Sequence, residues 1–145
     1  MGDISKDINS KFANNRTKAL INIVYTANWI NSHQNEFFKT FRISPQQYNI
    51  LRILRGAGEP LNVQTIKNRM IERSPNATRL MDKLCAKNYI ERLPSPHDRR
   101  VVKIAITEKG IGLLNDIPST FNAKLLQNLS EEEAEQLSNL LDKMR

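Results

Sequence analysis

The strongest constraint on this chain is a change of hydrophobic period partway along it. Up to about residue 88, apolar residues recur at three- and four-residue steps, as in helices that bury one face. From Ile90 to Leu93 and from Val101 to Ile106 they form short β-branched runs instead. In the second run Val102, Ile104 and Ile106 alternate with Val101, Lys103 and Ala105, the pattern of a half-buried strand. The connecting segment, Pro94-Ser95-Pro96-His97-Asp98-Arg99-Arg100, is stiffened by two prolines and ends on two adjacent arginines. The chain is therefore expected to be mainly α with one small basic β-hairpin.

The helices can be placed around that hairpin. Leu20, Ile23, Val24, Ala27 and Ile30 predict one long helix over about residues 5–39, which no Pro or Gly interrupts. Ser44-Pro45-Gln46-Gln47 combines a capping serine, a first-turn proline and a capping-box glutamine. Tyr48, Leu51, Ile53 and Leu54 form the buried face that follows, and Gly56-Ala57-Gly58-Glu59-Pro60 stops it. Two short helices come next, about Asn62 to Met70 and Ser74-Pro75 to about Lys87, joined by a tight turn at Glu72-Arg73-Ser74. Asn88, which tolerates the left-handed conformation, ends the second. Beyond the hairpin, Thr107 caps a helix with Leu114, Ile117, Phe121 and Leu125 as its stripe, and Pro118 should kink or split it. Ser130-Glu131-Glu132-Glu133 opens a last helix carrying Ala134, Leu137, Leu141 and Met144.

Charge distinguishes the middle from the ends. The 145 residues carry a net charge of +7, which suits a polyanionic partner. Residues 39–103 hold fourteen Lys/Arg and five Asp/Glu, whereas residues 1–38 are net +1 and residues 104–145 net −3. That is the layout of a nucleic-acid reader held between scaffold segments. Other classes drop out. The longest apolar run is far short of a membrane span, and Met1-Gly2-Asp3-Ile4-Ser5-Lys6 has no apolar core of the signal-peptide type. The single Cys85 allows no internal disulfide or cysteine-rich metal site, and His33 and His97 are far apart. No cofactor or metal is expected, and a reducing cytoplasm is the natural compartment. No nucleophile–base pair, carboxylate pair or Gly-rich phosphate loop suggests an enzyme.

Two short helices joined by a tight turn are a helix-turn-helix signature, and a strand ribbon after the second makes it winged. The stretch from Ile90 through Gly110 resembles the wing of MarR-family transcriptional regulators. Asp98, Arg100, Ile106, Thr107 and Gly110 match its Asp-x-Arg, alternating strand and Ile-Thr-x-x-Gly pattern. Ala77-Thr78-Arg79-Leu80 before Leu84 resembles the family's recognition helix, and the helix order follows the family over nearly the whole chain. Two departures are Asn88, where a Gly is usual, and Pro118. The resemblance implies a winged helix-turn-helix over about residues 44–106. In it Arg100 enters the minor groove and Asp98 is structural. It also implies a ligand or oxidant that biases the spacing of the two heads.

The residues support a DNA-reading site on their own terms. Stepping 100° per residue puts Ala77, Leu80, Met81, Leu84, Cys85 and Asn88 on one side of the second short helix. Asn76, Arg79, Lys83 and, at the border, Thr78 fall on the other; these types read base edges or hold phosphates. Arg99, Arg100 and, behind them, an outward-facing Lys103 extend this set along the hairpin. Successive hairpin residues point to opposite sides, so only one of the two arginines should enter a groove. Ser74 has two readings, helix cap and phosphate contact, and both can hold. Cys85 falls on the packed side, where packing competes with thiol sensing as its role. Tyr25, Trp29, His33 and Phe37 step by four along the first helix. That stripe either lines a pocket for a small aromatic effector or serves as core or subunit contact.

The expectation is thus a single domain over residues 1–145, a cytoplasmic homodimer that binds double-stranded DNA at a pseudo-palindromic site, with no membrane contact. About residues 5–39 and 108–145 would form the dimerisation helices, since their apolar stripes exceed what one small wing domain can bury. A winged-helix module that binds RNA or a protein partner is the rival reading. Steep salt dependence together with a palindromic duplex preference would separate the two.

Overall fold

A computed structural model describes residues 2–73 and 75–145. The N-terminal segment opens with a short helix, α1 (Ile4–Asp7), capped by Asp3, whose carboxylate accepts the Ser5 amide at 3.1 Å. The long helix that follows, α2 (Asn15–Lys39), begins ten residues later than expected. Asparagines cause the break. Asn9 adopts a left-handed φ of 49°, and Asn14 is extended with its side chain accepting the Thr17 amide at 2.9 Å. Such side chains offer the backbone an alternative to helix continuation. Of α2 only Phe38 is buried, in the last turn.

Helix α3 (Pro45–Ala57) starts with the expected capping box: Ser44 Oγ accepts the Gln47 amide at 3.1 Å and Gln47 Oε1 accepts the Ser44 amide at 2.9 Å. It ends where Gly58 takes a left-handed φ of 68°, which costs glycine little. A two-residue strand, β1 (Leu61–Asn62), runs directly into α4 (Val63–Arg69), and Asn62 caps that helix through the Thr65 amide at 2.7 Å. This strand has no periodic signature, because two residues cannot show one.

Helix α5 (Ala77–Ala86) begins two residues beyond the expected proline. Pro75 and Asn76 lie in a turn instead, since a fixed φ near −65° suits a turn as well as a first helical turn. Its end is as expected: Asn88 has φ 63°, its amide reaches Cys85 O at 2.9 Å and the Tyr89 amide reaches Leu84 O at 3.0 Å. These paired bonds satisfy the last helical carbonyls.

The hairpin consists of β2 (Ile90–Pro94) and β3 (Val102–Ile106), antiparallel from Ile90↔Ile106 to Pro94↔Val102. On its other side β3 pairs with β1, Leu61↔Ile104 and Asn62↔Lys103, giving a sheet of order β1-β3-β2. Val102 lies near the tip, where nothing covers it, and is exposed rather than half-buried. Helix α6 (Glu108–Asp116) is capped by Thr107, which accepts the Gly110 amide at 3.1 Å. Pro118 splits the next stretch, and α7 (Phe121–Leu125) is a separate short helix. Helix α8 (Glu131–Lys143) opens on the Ser130/Glu133 capping box.

One hydrophobic cluster, including Phe38, Ile50, Leu54, Ile66, Met81, Leu84, Ile90, Ile104 and Leu114, joins α3, α4, α5, the sheet and α6. Helix α3 lies at its centre, with Ile50 and Leu51 fully buried. Helix α8 buries nothing, and its Leu137, Leu140 and Met144 are exposed, as are Leu20 and Val24 of α2.

Candidate nucleic-acid interface

The α5 helix is oriented by its apolar face. Ala77, Met81 and Leu84 are buried in the cluster, which turns Thr78, Arg79 and Lys83 outward, all exposed; Asn76 is exposed at the helix start. Ser74, expected to cap or touch phosphate, lies outside the described residues. Cys85 is half-buried rather than fully packed.

The tip of the hairpin is a closed turn. The Val101 amide donates to Asp98 O at 3.1 Å, and Asp98 Oδ1 accepts the Arg100 amide at 2.9 Å. Below it the Ser95 amide donates to Val101 O at 2.9 Å, and the largely buried Ser95 takes the His97 amide through its hydroxyl at 3.4 Å. An aspartate bonding the amide two residues on is a common way to fix such a turn. Arg99 and Arg100, both exposed, occupy its two central positions, so strand alternation does not govern them. Lys103 does not face freely outward: it is half-buried in the central strand, between Asn62 and Leu93.

The wing base is tied to α5. Arg92 on β2 forms an ion pair with Asp82 Oδ1 on the outer face of α5. That hydrogen bond raises the pKa of the Arg92 guanidinium above its ordinary value, against a smaller opposing effect of burial.

Beside the start of α5 is a recess of about 350 Å³ lined by Gln64, Lys67, Asn68, Met70, Arg73 and Pro75. Gln64 Nε2 donates to Asn68 Oδ1 at 2.9 Å, leaving the Asn68 NH2 to donate elsewhere. Glu72, the acid nearest in sequence, is engaged by Gln46 Nε2 at 2.7 Å. Among the described residues neither Lys67 nor Arg73 makes an ion pair. No motif marks these residues in the sequence. Gln64, Lys67 and Asn68 stand at helical spacing opposite Ile66 and Met70, and that spacing was the available signal.

The aromatic stripe of α2 does not face a single cavity. Tyr25 and Trp29 border a recess of about 250 Å³ with Gly2, Ile4, Asp7, Asn22 and Thr26. The Trp29 and His33 rings are 4.4 Å apart, with His33 exposed. Phe37 instead stacks on Phe121 at 3.7 Å and touches Phe38 and Phe41. Among the described residues no helix is long and apolar enough to cross a membrane, and no group of three or more His, Cys, Asp or Glu could hold a metal ion.

The arrangement is a helix-turn-helix with a basic wing, and comparison with known proteins agrees. Residues 43–102 match the profile of the MarR family. The HTH-type transcriptional regulator MhqR of Bacillus subtilis is 38% identical over 119 residues, covering 79% of this chain and 81% of that protein. A MarR transcription factor from Planctomyces limnophilus is 30% identical, with a TM-score of 0.69 over 91% of this chain and 98% of that one. A mutant MarR from E. coli, solved in complex with operator DNA, shares the fold at 24% identity, with a TM-score of 0.76 over 99% of both chains. The chain belongs to the MarR family, whose members are transcriptional regulators rather than enzymes.

Proposed function

We propose that the protein is a cytoplasmic, ligand-responsive repressor that binds a pseudo-palindromic operator in double-stranded DNA as a homodimer. The observation that carries this reading is the set of exposed cations and hydrogen-bond donors on α5, at its start and on the wing turn. Thr78, Arg79 and Lys83 lie exposed on α5, with the Lys67/Arg73 recess at its start and the Arg99–Arg100 turn on the wing. In this reading α5 enters the major groove, with Asn76, Thr78 and Arg79 at base edges. Lys83 approaches the backbone, and Arg100 enters the minor groove, where a narrow A·T tract attracts guanidinium. Asp98 holds the wing turn in shape. Lys67 and Arg73 take a backbone phosphate, since the first helix of such a pair crosses the backbone.

Residues 44–106 are the reading head, and residues 5–39 and 108–145 are the arms of the dimer. Exposed Leu20, Val24, Leu137 and Leu140 support that division, because a monomer rarely leaves so much apolar helix surface uncovered. Two heads held by one dyad read two half-sites a helical turn apart. A small aromatic effector fits best against Tyr25 and Trp29, where its binding bears on the arm rather than the head.

The test is selection of bound fragments from genomic DNA, followed by titration of the recovered duplex at several salt concentrations. Palindromic sites and a steep salt slope are expected. Arg79→Ala should weaken specific binding by about 1–3 kcal/mol and relax preference at one position per half-site. Recovery of non-palindromic RNA or of a protein partner in place of duplex would overturn the proposal.

A further inference from the structure

We infer that Arg92 is a positioning residue for DNA recognition: it neutralises Asp82, the one acid on α5. Asp82 stands three residues from Arg79 and next to Lys83, on the exposed face. A free carboxylate there would face the phosphate that Lys83 attracts and lie beside the base-reading Arg79. Arg92 answers it from ten residues away in sequence. Strand alternation gives Ile90 and Arg92 the same side of β2. Ile90 is buried in the cluster that contains Leu84 of α5, and Arg92, one step further along, reaches Asp82 at the margin of that contact. Pairing with β3 on Arg92↔Ile104, whose side chain is fully buried, fixes the strand that carries it.

A role in holding the fold together does not account for the pair. Both side chains are about half exposed, and ion pairs of that kind contribute little to stability. What the pair does set is the sign of the charge that α5 presents beside Lys83. The inference rests on the DNA-reading function proposed above.

Mixed-sequence duplex binding by the full chain would be compared for wild type, Arg92→Met, Asp82→Asn and the double variant, with thermal melts alongside. Arg92→Met should weaken binding roughly tenfold, as exposing a like charge to the backbone does, with an unchanged melting temperature. Adding Asp82→Asn should restore affinity to within about threefold of wild type, since the charge left uncompensated is gone. Arg92→Lys should retain most of the binding. Two results would overturn the inference while leaving the proposed function intact. One is a double variant as weak as Arg92→Met with the salt slope reduced by about one, which would make Arg92 itself a phosphate contact. The other is Asp82→Asn alone weakening binding as much as Arg92→Met, which would make the pair a purely structural clamp. A wild type that binds no duplex at all would remove the inference and the proposed function together.

Discussion

At Gly110, packing rather than backbone freedom selects the residue. A Cβ built there would lie 2.3 Å from Tyr89 O and 2.8 Å from Ile106 Cγ1. The start of α6 therefore rests directly on the backbone that leads into β2. Thr107 reinforces the same junction, donating its hydroxyl to Asn88 O at 2.6 Å, and Lys109 Nζ donates to Lys87 O at 2.9 Å. Gly110→Ala should lower stability by about 1–3 kcal/mol, because the obstacle is main chain and cannot rotate away. At Gly112, two residues on in the same helix, a Cβ would meet nothing within 4 Å. Gly112→Ala should therefore raise stability by about 0.5–1 kcal/mol through helix propensity alone. Urea denaturation of the two variants checks both signs. The family resemblance marks Gly110 as a motif position. Its reason, a carbonyl approaching from another element, is a tertiary fact that no local pattern records.

Among the elements, those fixed by local chemistry were legible and those fixed by pairing or competition were not. The capping boxes at Ser44 and Ser130 and the left-handed stop at Asn88 depend on neighbours within a few residues, and the hairpin strands carry their own apolar pattern. Each stands where the sequence put it. The long helix predicted over residues 5–39 is shorter in the structure because Asn9 and Asn14 break a stretch that contains neither Pro nor Gly. Strand β1 exists only because β3 offers it an edge. The wing tip shows the same limit in the candidate site. Arg99 and Arg100 are identified by the motif, but their difference comes from a turn rather than from alternation: the Asp98 carboxylate bonds the Arg100 amide. Fixing that backbone would reduce the entropy lost in the proposed insertion of Arg100 into a groove. Arg100→Ala should therefore cost about 1–3 kcal/mol of specific affinity, more than Arg99→Ala, and Arg100→Lys should not rescue it, since an ammonium lacks the planar guanidinium. Asp98→Ala should narrow the gap between the two arginines. Titrations at two salt concentrations distinguish this from a generic basic loop, in which both alanine variants lose equally.

For the whole molecule, the proposed division between head and arms has a counterpart in charge. Residues 39–103 carry the positive excess, and the hydrophobic cluster lies between Phe38 and Ile117. The terminal helices look over-supplied with apolar residues because a single chain leaves them uncovered: Leu140 is 65% exposed and Met144 62%. Removing the residues after Ser130 should leave the head folded, since α8 buries nothing. The truncated chain should then sediment as a monomer, or aggregate, and lose its preference for paired half-sites. A truncated protein that remained a dimer in sedimentation velocity would place the subunit contact elsewhere.

The single buried residue of α2 gives this helix leverage. Its 25 residues rise about 37 Å, and they enter the hydrophobic cluster at one end only, where Phe38 is buried. A rod held at one end converts angle into distance. A tilt of about 10° about Phe38 moves the far end by about 6 Å, given the rise per residue of an α-helix. In a dimer joined through the far ends, that displacement is carried by the heads instead. It is about two base-pair steps, each roughly 3.4 Å along the duplex. In the proposed dimer, an effector at the Tyr25–Trp29 recess would need only to wedge this helix slightly for the two heads to lose their match to the pitch of the DNA.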